Sequence, residues 1–97
     1  MVTRIDILAH SQQMLVYAQQ ARWDDLARLK RTFQPMLEDY FAQHRDIDAQ
    51  QRDLLRHLLE QNDQISDLVR EGQAEIRRQQ QQEQSNTRAL QSYLDAE

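Results

Sequence analysis

At 97 residues the chain suffices for one small domain, and its single Gly and single Pro leave too little turn chemistry for a sheet of several strands. With no cysteine there is no disulfide framework or thiolate-ligated metal, and a net charge of -4 removes the long-range attraction that nucleic acid would need. A mean hydropathy of -0.92 alongside 39% hydrophobic residues fits amphipathic helices on a thin core. The fold class is therefore all-α. The expected architecture is an antiparallel bundle of three main helices, with a long third helix and a short C-terminal helical segment, in one domain over 1–97.

The first helix is expected over about 3–21. Thr3 is placed to cap it, with Asp6 at the reciprocal position of a capping box. Ile5, Leu8 and Leu15 form one apolar stripe, widened by Ile7, Met14, Tyr17 and Ala18. A tight turn is expected at Arg22-Trp23-Asp24-Asp25, although no Gly marks it. The second helix, about 24–44, carries Leu26, Leu29, Phe33, Met36 and Tyr40 at steps of three and four, extended by Leu37 and Phe41. Pro35 interrupts that face and predicts a kink, since proline costs about 3 kcal/mol in a regular helix interior.

Asp46-Ile47-Asp48 makes the second connection, and the third helix is expected over about 48–84. Leu54, Leu58, Ile65 and Leu68 lie on one stripe of it, and Leu55, Val69 and Ile76 on a second. Together these make a face broader than a two-stranded seam requires, and something must cover it. Gly72 interrupts the helix at a cost of about 1 kcal/mol relative to Ala, yet the pattern resumes at Ile76. Residues 77–84 are polar throughout, and Ser85-Asn86-Thr87 reads as a stop signal. Ala89, Leu90, Tyr93 and Leu94 then form a short apolar patch within a C-terminal segment of about 87–95.

No residue pattern supports catalysis. A nucleophile elbow and a phosphate-cradling loop are both unrecognisable, and His10, His44 and His57 are too scattered to ligate a metal. The chain reads as a non-enzyme without cofactor or metal. It lacks an apolar run of the ~20 residues that a membrane span needs, and its N-terminus has no signal-type apolar core, so a cytoplasmic protein without membrane insertion is expected. Trp23 is assigned to packing at the corner between the first two helices, and Asn62 to setting register.

Three stretches carry a family resemblance: Arg22-Trp23-Asp24-Asp25-Leu26; the run Leu54-Leu55-x-x-Leu58-Leu59-x-x-Asn62-Asp63-x-Ile65-x-x-Leu68; and the terminal Arg88-Ala89-Leu90-Gln91-Ser92-Tyr93. In these the chain resembles the FliT type of flagellar export chaperone. The resemblance implies a small cytoplasmic helical protein of type III export that binds and shields the filament-cap protein before secretion. It further implies contacts with the export ATPase complex and, in part of the family, with the flagellar master transcription regulator. It also implies a last helix able to restrain access to the binding surface.

Candidate partner-binding residues follow. Ile76 lies where the third helix is expected to outrun its cover, Val69 and Leu59 lie at the edges of the broad face, and Leu90, Tyr93 and Leu94 form the terminal patch. The competing reading is a self-associating coiled-coil protein of structural or regulatory role, a homodimer built on the heptad positions Leu54, Gln61 and Leu68; a third is an antagonist that binds a flagellar transcription regulator rather than DNA.

Overall fold

The computed structural model describes residues 1–95, so the last two positions of the expected 1–97 domain lie outside the described residues. The described chain consists of α1 (Arg4–Gln19), α2 (Trp23–Gln43) and α3 (Ala49–Asp95), with no strand among the described residues. Its extents are 74 × 21 × 17 Å. The long axis is set by the 47 residues of α3, which at 1.5 Å per residue span about 70 Å. A separate C-terminal segment at about 87–95 is not seen, and the third helix does not stop near 84. Ser85, Asn86 and Thr87 continue the helix: the Thr87 hydroxyl bonds back to the Glu83 carbonyl at 2.9 Å, and Gln82 donates to Asn86 at 3.1 Å. Residues that favour turns are tolerated in a helix when their side chains find partners one turn away.

The start of α1 is held reciprocally. The Thr3 N–H donates to the Asp6 carboxylate at 2.9 Å, and the Thr3 hydroxyl accepts from the Asp6 N–H at 3.2 Å. The Thr3 backbone N–H, then its hydroxyl, hold the Asp6 carboxyl below its ordinary range. A carboxyl depressed on folding contributes stability that is complete above its unfolded value of about 3.9 and is lost as the pH falls through the lower folded value. Asp6→Asn should therefore weaken the acid limb of a helicity-against-pH titration below about pH 4, while thermal stability near neutrality drops slightly.

The first connection comes earlier than the sequence indicates, at Gln20–Arg22, and Trp23 already opens α2. Ala21 has φ 56, in the left-handed region. Its N–H bonds to the Ala18 carbonyl at 3.2 Å, and the Arg22 N–H bonds to the Tyr17 carbonyl at 2.9 Å. These two bonds make a Schellman termination with alanine where glycine is the usual residue. The left-handed conformation costs a β-carbon-bearing residue about 1 kcal/mol. Ala21→Gly should raise the melting temperature, and an unchanged or lowered one would argue against this turn.

Asp25, rather than Asp24, pairs with the neighbouring arginines: Arg22 at 2.6 Å, and Arg28. α2 passes through Pro35 as one continuous helix. In the connection that follows, the Asp48 carboxylate accepts from the Gln51 N–H at 2.9 Å, capping the start of α3.

The expected arrangement, with both shorter helices covering the third, needs correction. α1 packs closely on both of the others, whereas no Cα of α2 comes within 8 Å of one in α3. α1 is thus the central helix. Its buried side chains Ile7, Ser11, Met14, Leu15 and Ala18 recur at helical spacing, while Ile5, two positions and about 200° around from Ile7, is left exposed. Two clusters form the core. One joins Met14, Leu15 and Ala18 to Leu26 and Ile65; the other joins Ile7 to Tyr40, Leu54 and Leu58.

Where α2 and α3 do meet, long side chains make the contact. At one end the Trp23 indole lies against Gly72: a β-carbon on Gly72 would sit 3.0 Å from Trp23 Cη2 and closer still to Cζ2. At the other, the buried Tyr40 hydroxyl donates to Gln51 Oε1 at 3.0 Å. Between α1 and α3 the buried Gln61 accepts from the Ser11 hydroxyl and donates to Gln12 Oε1 at 2.8 Å. Among the described residues no buried side-chain polar atom lacks a partner.

Candidate functional site

The separation of α2 from α3 leaves a trough between them, floored by Ser11 and Met14 of α1. It consists of two adjoining hollows of about 400 and 340 Å³. The α2 wall is made by Trp23, Ala27, Lys30, Gln34, Leu37 and Phe41, an unbroken stripe at steps of four and three. The α3 wall runs the opposite way, with Ile76 and Gln73 beside Trp23, Val69 beyond them, and Asn62, Leu59 and Leu55 beside the Leu37–Phe41 end. From Leu55 to Ile76 the α3 wall measures about 32 Å at 1.5 Å per residue.

The walls are held in place from behind. His10 of α1 donates from Nε2 to the Leu29 carbonyl at 2.9 Å. Its ring stacks on Phe33 with centroids 5.3 Å apart and planes 4° from parallel. Phe33 thus lines the trough with its ring backed by a second aromatic plane. At the far end His44 stacks on Tyr40 with centroids 4.2 Å apart, and Tyr40 meets Phe41 edge-on at 5.1 Å. Aromatic side chains fixed in this way give a pre-formed apolar surface with little rotamer entropy left to lose on binding.

Of the six residues singled out on sequence grounds, three come together along this trough. Leu59 stands at its rim, 63% exposed; Val69 is half-buried in its wall and also touches the core; Ile76, 45% exposed, ends it beside Trp23 and Leu26. Ile76 therefore does not lie past the reach of the first two helices, because α2 begins alongside it. Leu90, Tyr93 and Leu94 are exposed and lie elsewhere, on the part of α3 beyond the polar tract. Leu90 stands about 21 Å along the helix from Ile76.

Sequence reasoning missed the α2 half of the site. Leu37 and Phe41 read as ordinary core, and Lys30 drew no attention. The available signal was the second stripe of α2, which shares the spacing of its core stripe but differs in containing Lys30 and Gln34. Gln61 was also missed, although a glutamine on the Leu54–Leu68 heptad marks a polar group in need of buried partners.

An apolar trough of helical length, with pre-set walls and little polar surface, suits the holding of a helix from another polypeptide. The class defined is a helical protein-binding module. A family model described as flagellar protein FliT matches residues 1–95. The chain belongs to that family, and with it goes the general role of a flagellar chaperone. No curated protein and no solved structure matches the chain.

Proposed function

We propose that the chain is a cytoplasmic chaperone of flagellar type III export that binds the filament-cap protein before secretion and shields an apolar helical segment of it in the α2–α3 trough. The observation that carries this reading is the trough itself, which leaves Leu37, Leu55 and Leu59 facing a shared hollow with no helix of the described residues over them. An aggregation-prone amphipathic segment would bury the same surface that it hides from itself, and the thin core of the host gains by being covered. That no helix of the described residues is long and apolar enough to cross a membrane is compatible with this setting. Export ATPase components and a flagellar regulator are further partners on the family pattern, as clients of the same surface or of the α3 tail.

A terminal latch needs more than the present arrangement. With α3 continuous to Asp95, Leu90, Tyr93 and Leu94 reach the trough only if the helix opens within residues 77–84. In the continuous helix they are an exposed secondary surface, available to a partner or to a second copy of the chain. The test is co-purification of the full chain with the C-terminal segment of a filament-cap protein. A defined complex at micromolar concentrations is expected, and no association under those conditions would sink the assignment.

A further inference from the structure

We propose that Lys30 selects the occupant of the trough: the bound helix carries a carboxylate among its trough-facing residues, placed to meet the Lys30 ammonium. This rests on the trough being a partner site. Lys30 borders both hollows and is the one formally charged residue lining either of them. It is also the chain's one lysine.

Among the described residues no ion pair involves Lys30. The ion pairs of the described residues all join an arginine to a carboxylate three positions away in the sequence. Lys30 has no such neighbour, because the residues three and four away on α2 are Leu26, Ala27, Phe33 and Gln34. Across the trough stand Ile65, Val69 and Gln73, also without charge.

While the trough is open, water solvates the ammonium and its methylene stem shades the apolar wall. A helix laid in the trough removes that water. An occupant without an acid then leaves a desolvated, unpaired charge, which is costly; an occupant with a carboxylate at the right place avoids that cost and adds a charge-assisted hydrogen bond. Charge pairing of this kind contributes more to specificity and register than to bulk affinity.

The position of Lys30 sharpens the requirement. It lies about 10 Å from the Trp23 end of the α2 wall and about 16 Å from the Phe41 end, at 1.5 Å per residue. Being off-centre, the pair would distinguish the two directions in which a helix can enter. It would also oppose slippage by one turn, which a uniformly apolar trough would allow.

The test uses the full chain and synthetic helical peptides of about 20 residues, long enough to fill the trough. All carry the same leucine stripe, with Glu, Gln or Lys at the stripe position seven residues from one end. Fluorescence anisotropy at low salt should show the Glu peptide binding about tenfold more tightly than the Gln peptide. Lys30→Met should remove that difference, and Lys30→Glu should shift the preference to the Lys peptide. Circular dichroism on both variants checks that the exposed site leaves the fold intact. Equal affinities of the Glu and Gln peptides for the unaltered chain overturn the role of Lys30 and leave the trough as an apolar site. If no peptide binds, the trough reading fails and the role of Lys30 fails with it.

Discussion

Replacing Gly72 with alanine should lower the stability of the protein, although helix propensity alone favours alanine in a helix interior by about 1 kcal/mol. The new β-carbon would press into the Trp23 indole, 3.0 Å from Cη2 and nearer to Cζ2. Forcing a packed aromatic aside costs about 1–3 kcal/mol. Trp23 is held on its inner side by the Met14–Leu26–Ile65 cluster and borders the smaller hollow on the other, so the ring can shift only by giving up part of that packing. The net loss of about 1 kcal/mol would appear as a fall of about 4–8 °C in melting temperature for a chain of this size, and Gly72→Leu should cost more. The diagnostic measurement is the double variant. In a Trp23→Leu background the clash is gone and only propensity remains, so Gly72→Ala should become stabilising. A reversal of sign between the two backgrounds measures the Trp23–Gly72 contact directly. A Gly72→Ala variant that melts higher in the unaltered background would show that the indole is not held there.

This pair of residues also shows where the sequence is legible and where it is not. Reading Gly72 as a defect in a good helix follows from propensity, which cannot see that the only glycine in the chain is needed for a close approach from another helix. The matching surprise is Ala21, where a left-handed turn is made without glycine because two backbone bonds hold it. The helical character and the long third helix were both readable from spacing. Which helix lies in the middle was not, because the stripes of α1, α2 and α3 are each compatible with being core. The extension of α3 through Ser85–Thr87 was hidden for a related reason: stop signals compete with side chain to backbone bonds that the one-letter code does not display. The trough was half legible. Leu59, Val69 and Ile76 stood out because their face was too wide, whereas its α2 counterpart is no wider than an ordinary buried stripe.

Leu59→Asp should weaken binding of the filament-cap segment proposed as the occupant of the trough by about thirtyfold, corresponding to the loss of about 2 kcal/mol typical of a strong apolar contact, while changing thermal stability by no more than about 0.5 kcal/mol. Leu59 combines the two properties that this requires. It lines the larger hollow, and at 63% exposed it contributes little to the core. An aspartate there would be desolvated on binding, which is costly for a carboxylate. Ile76→Asp should reduce binding less, because Ile76 stands at the end of the trough beside Trp23 rather than along its length. Leu90→Asp, on the far side of the polar tract, should leave the affinity within a factor of about two, as surface substitutions outside a contact commonly do. The order of the three losses is more informative than any one of them. Leu59 above Ile76 above Leu90 locates the bound segment in the trough. A loss at Leu90 equal to that at Leu59 would mean that the tail of α3 takes part in holding the segment, and a loss at Leu90 alone would move the binding surface to that tail.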